Sequence, residues 1–281
     1  MITINQNRGK VILAGAGPGD PELITLKALR FLQHADVVIA DRLVSPVLLT
    51  QNVKAGATIL HVGKQGGNTK STSQQTINEL LVKHALQNKL VVRLKGGDVS
   101  FFSNILDELT TLSENNISYE IIPGVTAASG AAAYAGIPLT AKGYSNGVRF
   151  ITCYDIETIA PFFWKELADT DDTLVFYMSS NALHTVVGKL LDNRISSDKE
   201  LAVIEQATTP FQKVTVYNLH EFETKIGPTK KFASPTLVII GRVAALHKKF
   251  KWIENSSQEE DYFMPLLNHT SKKKTDLTLA C

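Results

Sequence analysis

The first half of the chain alternates between short apolar segments and longer amphipathic segments, and this alternation limits the fold more than any other feature. The apolar segments have the length of buried strands, and segments with apolar residues at helical spacing separate them. The predicted strands are residues 11–14, 35–41, 57–63, 89–98 and 118–124. Such a rhythm of strands and helices predicts βαβ units that build a mostly parallel sheet.

The second half of the chain has a different strand pattern. Residues 200–206 and 212–217 are both strand-like and are joined by the turn-like "TTP", so we predict that they pair antiparallel. The polar, glycine-rich stretch 142–147 breaks the rhythm and is a candidate linker. The predicted class is α/β, with two α/β domains: the first has a mostly parallel sheet and the second a mixed one. The predicted boundaries are 9–142 for the N-terminal domain, 147–247 for the C-terminal domain and 248–281 for a polar tail.

Two further segments carry structural predictions. The tail after residue 247 is polar, and we expect it to be disordered, interrupted by docking of Tyr262, Phe263 and Met264 on the body. The segment "TAASGAAAYAG" at 126–136 contains mostly small residues. This composition favours a helix that packs very close to another part of the protein.

Composition excludes several classes of protein. The chain has 281 residues, 44% of them hydrophobic, but no apolar stretch approaches the ~18 residues of a membrane span, and its N-terminus lacks the apolar core of a signal peptide. We therefore expect a cytoplasmic protein. A net charge of +2 and an aromatic content of 7% do not indicate a nucleic-acid surface. The two cysteines have no metal-ligand spacing, so we expect no metal.

The first predicted strand ends in a glycine-rich turn, Gly15 to Gly19, followed by Asp20, Pro21 and Glu22. We predict a helix that opens here, with Asp20 as its N-cap and Pro21 at its first position. A dinucleotide fingerprint would need glycine or alanine at position 20, and a carboxylate there would compete with phosphate for the helix N-terminus. The turn therefore suits close backbone approach to a ligand that is not a polyphosphate.

Residues that end the other predicted strands are the best candidates for a site, because ligands of parallel α/β sheets bind at the carboxyl ends of strands. Asp98 follows two glycines, and it either caps the next helix or faces a ligand. Asp41 and Lys64 both leave strand ends; they form either a surface ion pair or an acid and a cation that serve in proton transfer. Further cations on this edge, as an anionic substrate would require, are Arg42, Arg93 and Lys95.

Eight motifs of the chain resemble, in order, those of the tetrapyrrole (class III) S-adenosylmethionine methyltransferases. The resemblance covers about residues 9 to 250, and the motifs together are highly specific. The motifs are "GAGPGDPELITLKA", "ADRLVS", "GKQGGNTKSTSQQ", "RLKGGD", "IIPGVTAASGAAAYAGIPLT", "FYM", "ATTPFQ" and "SPTLVIIGRV".

The resemblance implies a homodimer of two-domain α/β chains that bind S-adenosylmethionine between the domains and release S-adenosylhomocysteine. By resemblance, Asp41 is the proton acceptor and Lys64 the proton donor. The implied cofactor contacts are Pro18, Gly96, Gly97, Asp98, Phe101, Thr126, Ala127, Met178 and Ala207.

The implied reaction is methylation of uroporphyrinogen III, a tetrapyrrole, on two pyrrole rings to give precorrin-2, in sirohaem or cobalamin biosynthesis. Two alternatives stay open: a methylase of a later corrin precursor, and a degenerate cofactor-binding protein with weak turnover. An NAD-dependent oxidoreductase is the weakest alternative, because Asp20 breaks the fingerprint. Only about nine residues precede the first predicted strand, so we expect no preceding dehydrogenase and ferrochelatase module and no sirohaem made by this chain alone.

The sequence departs from the family pattern after "RLKGGD". The family usually continues Pro-Phe-x-Phe-Gly-Arg-Gly, whereas this chain lacks the proline, both glycines and the arginine over residues 99–104. Ala40 also replaces the tyrosine that the family commonly has before the aspartate. We therefore predict that the cofactor site is retained and that turnover is reduced relative to a variant with the family loop restored.

Overall fold

The structure is a computed structural model that describes residues 9–63 and 71–263. Two five-stranded sheets organise these residues. The elements of the first half are β1 (Lys10–Gly15), α1 (Leu26–His34), β2 (Val37–Asp41), α2 (Pro46–Asn52), β3 (Thr58–Val62), α3 (Gln74–Ala85), β4 (Leu90–Lys95), α4 (Ile105–Glu114), β5 (Ser118–Ile122) and α5 (Ala127–Ala135). Those of the second half are β6 (Val148–Thr152), α6 (Pro161–Asp169), β7 (Thr173–Tyr177), α7 (Leu183–Asp192), β8 (Glu200–Glu205), β9 (Lys213–Asn218), α8 (Leu219–Glu221), β10 (Thr236–Gly241) and α9 (His247–Phe250).

The first sheet has the order β3-β2-β4-β1-β5, and each of its strand pairs is parallel, as the alternating pattern predicts. Its three central strands are buried on both faces, because helices cover both sides of a sheet built from βαβ units. Helices α3 and α4 cover one face and α1 and α2 the other. All five strands therefore point their carboxyl ends toward one edge of the sheet.

The second sheet has the order β6-β7-β10-β8-β9 and is mixed. Strands β6 and β7 are parallel, whereas the pairs of β10 with β7, β10 with β8, and β8 with β9 are antiparallel. The predicted antiparallel pairing of the segments around 200–206 and 212–217 is confirmed. Helices α6 and α7 cover one face of this sheet.

Helix α5 covers the other face of the second sheet, although it follows directly from the first sheet. Its buried alanines pack against side chains of β7, β8 and β10, such as Val175, Ala202 and Ile239. Small side chains allow the helix axis to approach the sheet closely, which confirms the prediction from "TAASGAAAYAG". The two halves of the chain are thus joined by a packed core that α5 and the second sheet share. The predicted domain boundary at 142–147 stays a prediction.

The α-helix after β1 begins later than the sequence predicts. Asp20 does act as a cap, since its Oδ1 accepts a hydrogen bond of 2.8 Å from the Glu22 amide, but it caps only the 3₁₀ turn Pro21–Leu23. Ile24 is extended (ψ 143°) and ends that turn. Helix α1 then starts after Thr25, which accepts a hydrogen bond from the Ala28 amide and is the true N-cap.

The described part of the predicted tail is residues 248–263, and the predicted disorder does not apply to it. Residues 248–250 belong to α9, and residues 251–263 lie against the body. Asn255 pairs with both backbone groups of Val214 at 2.7 and 2.9 Å. The Tyr262 hydroxyl lies 2.7 Å from the Ser45 hydroxyl, and Phe263 is buried, as the predicted docking requires. Polar side chains such as Asn255 hold this segment by hydrogen bonds to the backbone of the body. A polar composition does not reveal such bonds, so it predicted a longer disordered segment. Met264 and the rest of the tail lie outside the described residues.

Candidate functional site

The glycine-rich turns after β1 and β4 touch each other directly at the carboxyl edge of the first sheet. The Gly17 amide donates to the Gly97 carbonyl at 3.2 Å, and the Gly97 amide donates to the Gly17 carbonyl at 2.7 Å. A Cβ atom at Gly15 would lie 2.6 Å from the Gly97 oxygen and 2.7 Å from the Gly124 Cα, so only glycine fits. Three strand ends therefore meet through backbone contacts.

Asp98 holds two of these strand ends together. Its Oδ1 accepts a hydrogen bond from the Ser100 amide and its Oδ2 accepts one from the Gly124 amide, each at 2.7 Å. The residue is 7% exposed. Asp98 does not cap α4, which begins after Asn104, so the capping alternative is wrong. Its carboxylate instead fixes the shape of the edge on which a ligand would rest.

The turn after β1 also packs against the loop that follows β8. The Asp20 amide donates to the Thr208 hydroxyl at 3.0 Å, and a Cβ atom at Gly19 would lie 2.9 Å from the Ala207 oxygen. Gln206 and Thr208 have φ angles of 47° and 64°, a left-handed conformation that is costly for residues other than glycine. Such a conformation persists only where surrounding contacts hold it, and strained residues of this kind are common at ligand sites.

The Tyr177 hydroxyl joins the second sheet to the start of α5. It lies 2.7 Å from the Thr126 hydroxyl and accepts a hydrogen bond of 3.0 Å from the Ala128 amide. Burial raises the pKa of Tyr177, so the hydroxyl stays protonated. The next residue, Met178, is half-exposed with a φ angle of 55°. Thr126, Ala127 and Met178 therefore lie close together although about 50 residues separate them in the sequence.

Aromatic rings lie in the region between the strand ends of the first sheet and the second sheet, which we call the cleft. Phe101 packs edge-to-face on Phe150 with ring centroids 5.4 Å apart, and Phe102 packs on Tyr177 at 4.9 Å. Phe101 and Phe102 keep about two-fifths of their surface exposed, at 39% and 41%. Exposed rings beside ordered backbone groups offer apolar contact to a ligand that enters the cleft.

Asp41 ends β2 on the face that α3 and α4 cover, and it is ion-paired with Arg93. Arg93 also binds Glu108 at 2.9 Å, and Glu108 binds Lys95 at the same distance. Burial opposes the charge of Arg93, but Asp41 and Glu108 outweigh it and raise its pKa. Burial, reinforced by the charge of Arg93, lowers the pKa of Lys95.

The ion pairs correct one prediction about the anionic substrate. Arg93 and Lys95 are each only 2% exposed, so they neutralise protein carboxylates and are not available to substrate carboxylates. Arg42 is half-buried, and its guanidinium donates to the Ser234 hydroxyl at 3.4 Å. Lys64, the predicted proton donor, lies outside the described residues. Its predicted proximity to Asp41 stays a prediction.

The structure brings the remaining predicted site residues to one cleft. Pro18 packs on α5 at Gly130, where a Cβ atom would lie 2.5 Å from the proline ring. Gly96 packs on Leu43, two residues after Asp41, and a Cβ atom at Gly97 would lie 3.5 Å from the Ala127 amide nitrogen. Contacts already described connect these residues to Asp98, Phe101, Thr126, Met178 and Ala207.

Sequence reasoning missed three contributors to the cleft. Glu108 looked like one polar residue on an amphipathic helix, yet it is fully buried. The left-handed conformations of Gln206 and Thr208 gave no signal, because a sequence does not show such conformations for these residue types. Thr208 lies in the motif "ATTPFQ", but the motif did not indicate its conformation. A helical-wheel analysis could have indicated Glu108, since it falls on the buried side of α4 with Leu112.

The cleft presents backbone amides and carbonyls, small α5 residues, aromatic rings and a methionine. This donor set fits a ligand with an adenine ring, a ribose and an amino acid, such as S-adenosylmethionine. The positively charged Arg93 and Lys95 at its edge are already neutralised by protein carboxylates. A polyphosphate would call for free cations or a glycine-rich helix N-terminus. Here the glycine-rich turn leads instead into the 3₁₀ turn Pro21–Leu23, which is capped by the Asp20 carboxylate.

Comparison with known proteins gives consistent matches. The family Tetrapyrrole (Corrin/Porphyrin) Methylases matches residues 10–223. A siroheme synthase of Vesicomyosocius okutanii subsp. Calyptogena okutanii is 41% identical over 252 residues, which cover 90% of this chain and 53% of that protein. The chain thus spans about half the length of the curated relatives that it matches.

Solved structures with the same fold include two methyltransferases. A uroporphyrin-III C-methyltransferase from Thermus thermophilus, complexed with S-adenosylhomocysteine, is 32% identical with a TM-score of 0.70, covering 85% of this chain and 94% of that one. A cobalt precorrin-4 methyltransferase, described as a cobalamin biosynthetic enzyme, is 27% identical with a TM-score of 0.74, covering 87% of this chain and 99% of that one.

Proposed function

Because the chain belongs to the tetrapyrrole methylase family, we propose that it transfers methyl groups from S-adenosylmethionine to carbon atoms of uroporphyrinogen III, giving precorrin-2. The observation that carries this proposal is the meeting of the glycine-lined strand ends with Asp41 at one edge of the first sheet. The likeness to the Thermus thermophilus uroporphyrin-III C-methyltransferase supports the choice of substrate.

The cofactor would lie between the two sheets, against the strand ends. Backbone groups of residues 96–98, the start of α5 at Thr126 and Ala127, and the loop at Ala207 would hold its polar parts. Pro18, Phe101 and Met178 would contact its apolar parts. When bound, S-adenosylmethionine supplies an electrophilic methyl group on a sulfonium. The role of Asp98 would be to hold this edge in shape, because its carboxylate is occupied by two backbone amides.

Asp41 would act on the tetrapyrrole. When a pyrrole carbon gains a methyl group, positive charge develops on its ring, and the macrocycle must then lose a proton from another position. A carboxylate held at the cleft edge stabilises that charge and can accept the proton. Lys64 would serve as proton donor by resemblance to the family. Arg42, which follows Asp41, is the described cation best placed to meet substrate carboxylates, since Arg93 and Lys95 are buried in ion pairs.

A second candidate function has one observation in its favour. The likeness to a cobalt precorrin-4 methyltransferase shows that this fold also accommodates a later corrin precursor. The degenerate binding protein is the third alternative, motivated by the altered loop 99–104.

The homodimer and the cytoplasmic location remain predictions. Among the helices of the described residues, none has the length and apolar character of a membrane span.

The test is direct. The purified chain is incubated with methyl-labelled S-adenosylmethionine and, in separate reactions, with freshly reduced uroporphyrinogen III or with a later corrin precursor. The products are separated by chromatography. We expect label in precorrin-2. Label transferred only to a later corrin precursor would favour the second candidate, and binding of S-adenosylhomocysteine without transfer to either substrate would favour the third. Oxidised uroporphyrin III serves as the control macrocycle, because it lacks the electron-rich pyrroles of the reduced form.

Removal of the Tyr177 hydroxyl tests the proposed cofactor cleft. Tyr177→Phe keeps the ring contacts with Phe102 and Phe150 but loses the bonds to Thr126 and Ala128. We expect the Kd for S-adenosylhomocysteine, measured by isothermal titration calorimetry, to rise about 5–10-fold, which corresponds to the ~1 kcal/mol of a typical hydrogen bond.

The matched control is Tyr217→Phe. Tyr217 packs on Phe222 in the core under α6 and α7, on the opposite face of the second sheet from α5. We expect its Kd for S-adenosylhomocysteine to stay within about twofold of wild type, since a surface or core hydroxyl distant from the cleft affects stability alone. An unchanged Kd in Tyr177→Phe would argue against cofactor binding at the start of α5.

A further inference from the structure

We infer that Arg93 is a positioning residue that holds the Asp41 carboxylate in the orientation needed for catalysis. This inference rests on the proposed function, which gives Asp41 its role on the substrate. A buried side chain of the first sheet would thus contribute to the reaction by orienting Asp41, in addition to the residues at the strand ends.

The register of the first sheet places the two side chains together. Arg93 of β4 is paired with Ile39 of β2, and Asp41 lies two residues further along β2. Side chains two residues apart in a strand point to the same face, so Arg93 reaches Asp41 diagonally across the strand pair. The contact joins Arg93 Nη2 to Asp41 Oδ1.

All three nitrogens of the Arg93 guanidinium have partners, which fixes its plane. Nε donates to Glu108 at 2.9 Å, and Nη1 donates to the backbone carbonyls of Ile39 at 3.2 Å and Leu94 at 3.3 Å. A planar guanidinium held at three points presents Nη2 to the carboxylate in one direction only. Asp41 therefore meets a donor whose position the core determines.

Burial separates the roles of the four charged residues in this network. Arg93, Lys95 and Glu108 have side chains that are 2%, 3% and 0% exposed, whereas the Asp41 side chain is 30% exposed. Two cations balance two carboxylates, and removal of one partner would leave an uncompensated buried charge. The network thus presents the Asp41 carboxylate at the cleft edge. The charges that orient it are buried, and charges interact more strongly in the protein interior than in water.

The test compares Arg93→Met and Arg93→Lys. Methionine removes the positive charge and leaves Glu108 paired with Lys95. Lysine keeps the positive charge but lacks the planar guanidinium with its several N–H donors. We expect kcat for methyl transfer to fall about 100-fold in Arg93→Met and to recover to within about 10-fold of wild type in Arg93→Lys, with the KM for S-adenosylmethionine within about twofold of wild type. Arg149→Met is the control, because Arg149 also bridges two carboxylates, Glu166 and Asp172, but lies on β6.

A double-mutant cycle distinguishes positioning from a structural role. If Arg93 acts through Asp41, each Arg93 substitution lowers kcat by less than about twofold in an Asp41→Asn background. The inference is overturned if Arg93→Met costs the same factor in both backgrounds, or if its kcat equals that of wild type. Should Arg93→Met fail to fold, the cycle with Arg93→Lys makes the same comparison.

A second readout keeps this inference separate from the proposed function. The urea midpoints of wild type, Arg93→Met, Asp41→Asn and the double variant are measured without ligand. We expect the changes in midpoint of the two single variants not to add up to that of the double variant, because Arg93 and Asp41 form an ion pair. Additive midpoints in an active enzyme would overturn the inference alone. A wild-type chain that transfers no methyl group to any tetrapyrrole would overturn the proposed function and, with it, the catalytic role of Asp41, whatever the midpoints show.

Discussion

Asp41→Asn is expected to lower kcat for methylation of uroporphyrinogen III by roughly 10²- to 10⁴-fold, the range typical for removal of a positioned acid or base. Asparagine has nearly the same shape and can still accept a hydrogen bond from Arg93, but it carries no negative charge and cannot take up a proton. We expect the Kd for S-adenosylhomocysteine to stay within about twofold of wild type, because the proposed cofactor contacts do not include this side chain.

The control for this variant is Asp36→Asn. Asp36 immediately precedes β2 at its other end and is paired with Lys54 at 2.8 Å, and this bond lowers the pKa of its carboxyl. The two substitutions thus remove the same charge from the two ends of one strand. Wild-type kcat in Asp36→Asn and a large loss in Asp41→Asn would locate the chemistry at the carboxyl edge of the sheet. Equal kcat values for Asp41→Asn and wild type would remove Asp41 from the mechanism.

Gly15→Ala is expected to destabilise the protein by about 3 kcal/mol and to abolish measurable binding of S-adenosylhomocysteine. The added Cβ atom would lie 2.6 Å from the Gly97 oxygen and 2.8 Å from the Gly124 nitrogen. Both neighbours are backbone atoms, so they cannot rotate away as a side chain could. Relief of the clash requires the turns after β4 and β5 to shift, and these turns form the proposed cofactor edge.

Gly188→Ala is the matched control for this prediction. Gly188 lies inside α7, and a Cβ atom there would have no neighbour within 4 Å. Alanine favours a helix over glycine by ~0.5–1 kcal/mol, so we expect a small stabilisation and unchanged binding. Urea denaturation and calorimetric titration measure both effects. A Gly15→Ala protein with wild-type stability would show that the three strand ends do not pack as closely as the contacts indicate.

The fold was predictable to a large extent because its signals are local. The alternation of strands and helices follows from apolar periodicity, and the parallel order of the first sheet follows from the length of its connections. The antiparallel pair β8 and β9 was predictable from its short turn. The start of α1 was not, because Asp20 and Thr25 are both good caps, and the extended backbone of Ile24 decides between them.

Without the family resemblance, the candidate site was predictable only as a set of strand ends. Asp41, Gly97 and Asp98 could be chosen because carboxyl ends of parallel strands meet at one edge. Their chemical states could not: Arg93 and Lys95 looked like free cations until Glu108 of α4 proved to be their partner. The same holds for Asp98, whose carboxylate accepts from an amide 26 residues away.

The sequence by itself determined the classes of element, the two kinds of sheet and the motif set that identifies the family, because these depend on residues close together in the chain. Tertiary structure alone decided which charges are paired, which glycines touch and which hydroxyl joins the two halves. Tyr177 and Thr126 illustrate the difference, since their 2.7 Å contact exists only after α5 has packed on the second sheet. Hydrogen bonds and ion pairs act over a few ångströms, and no local pattern records which distant residues folding brings within that range.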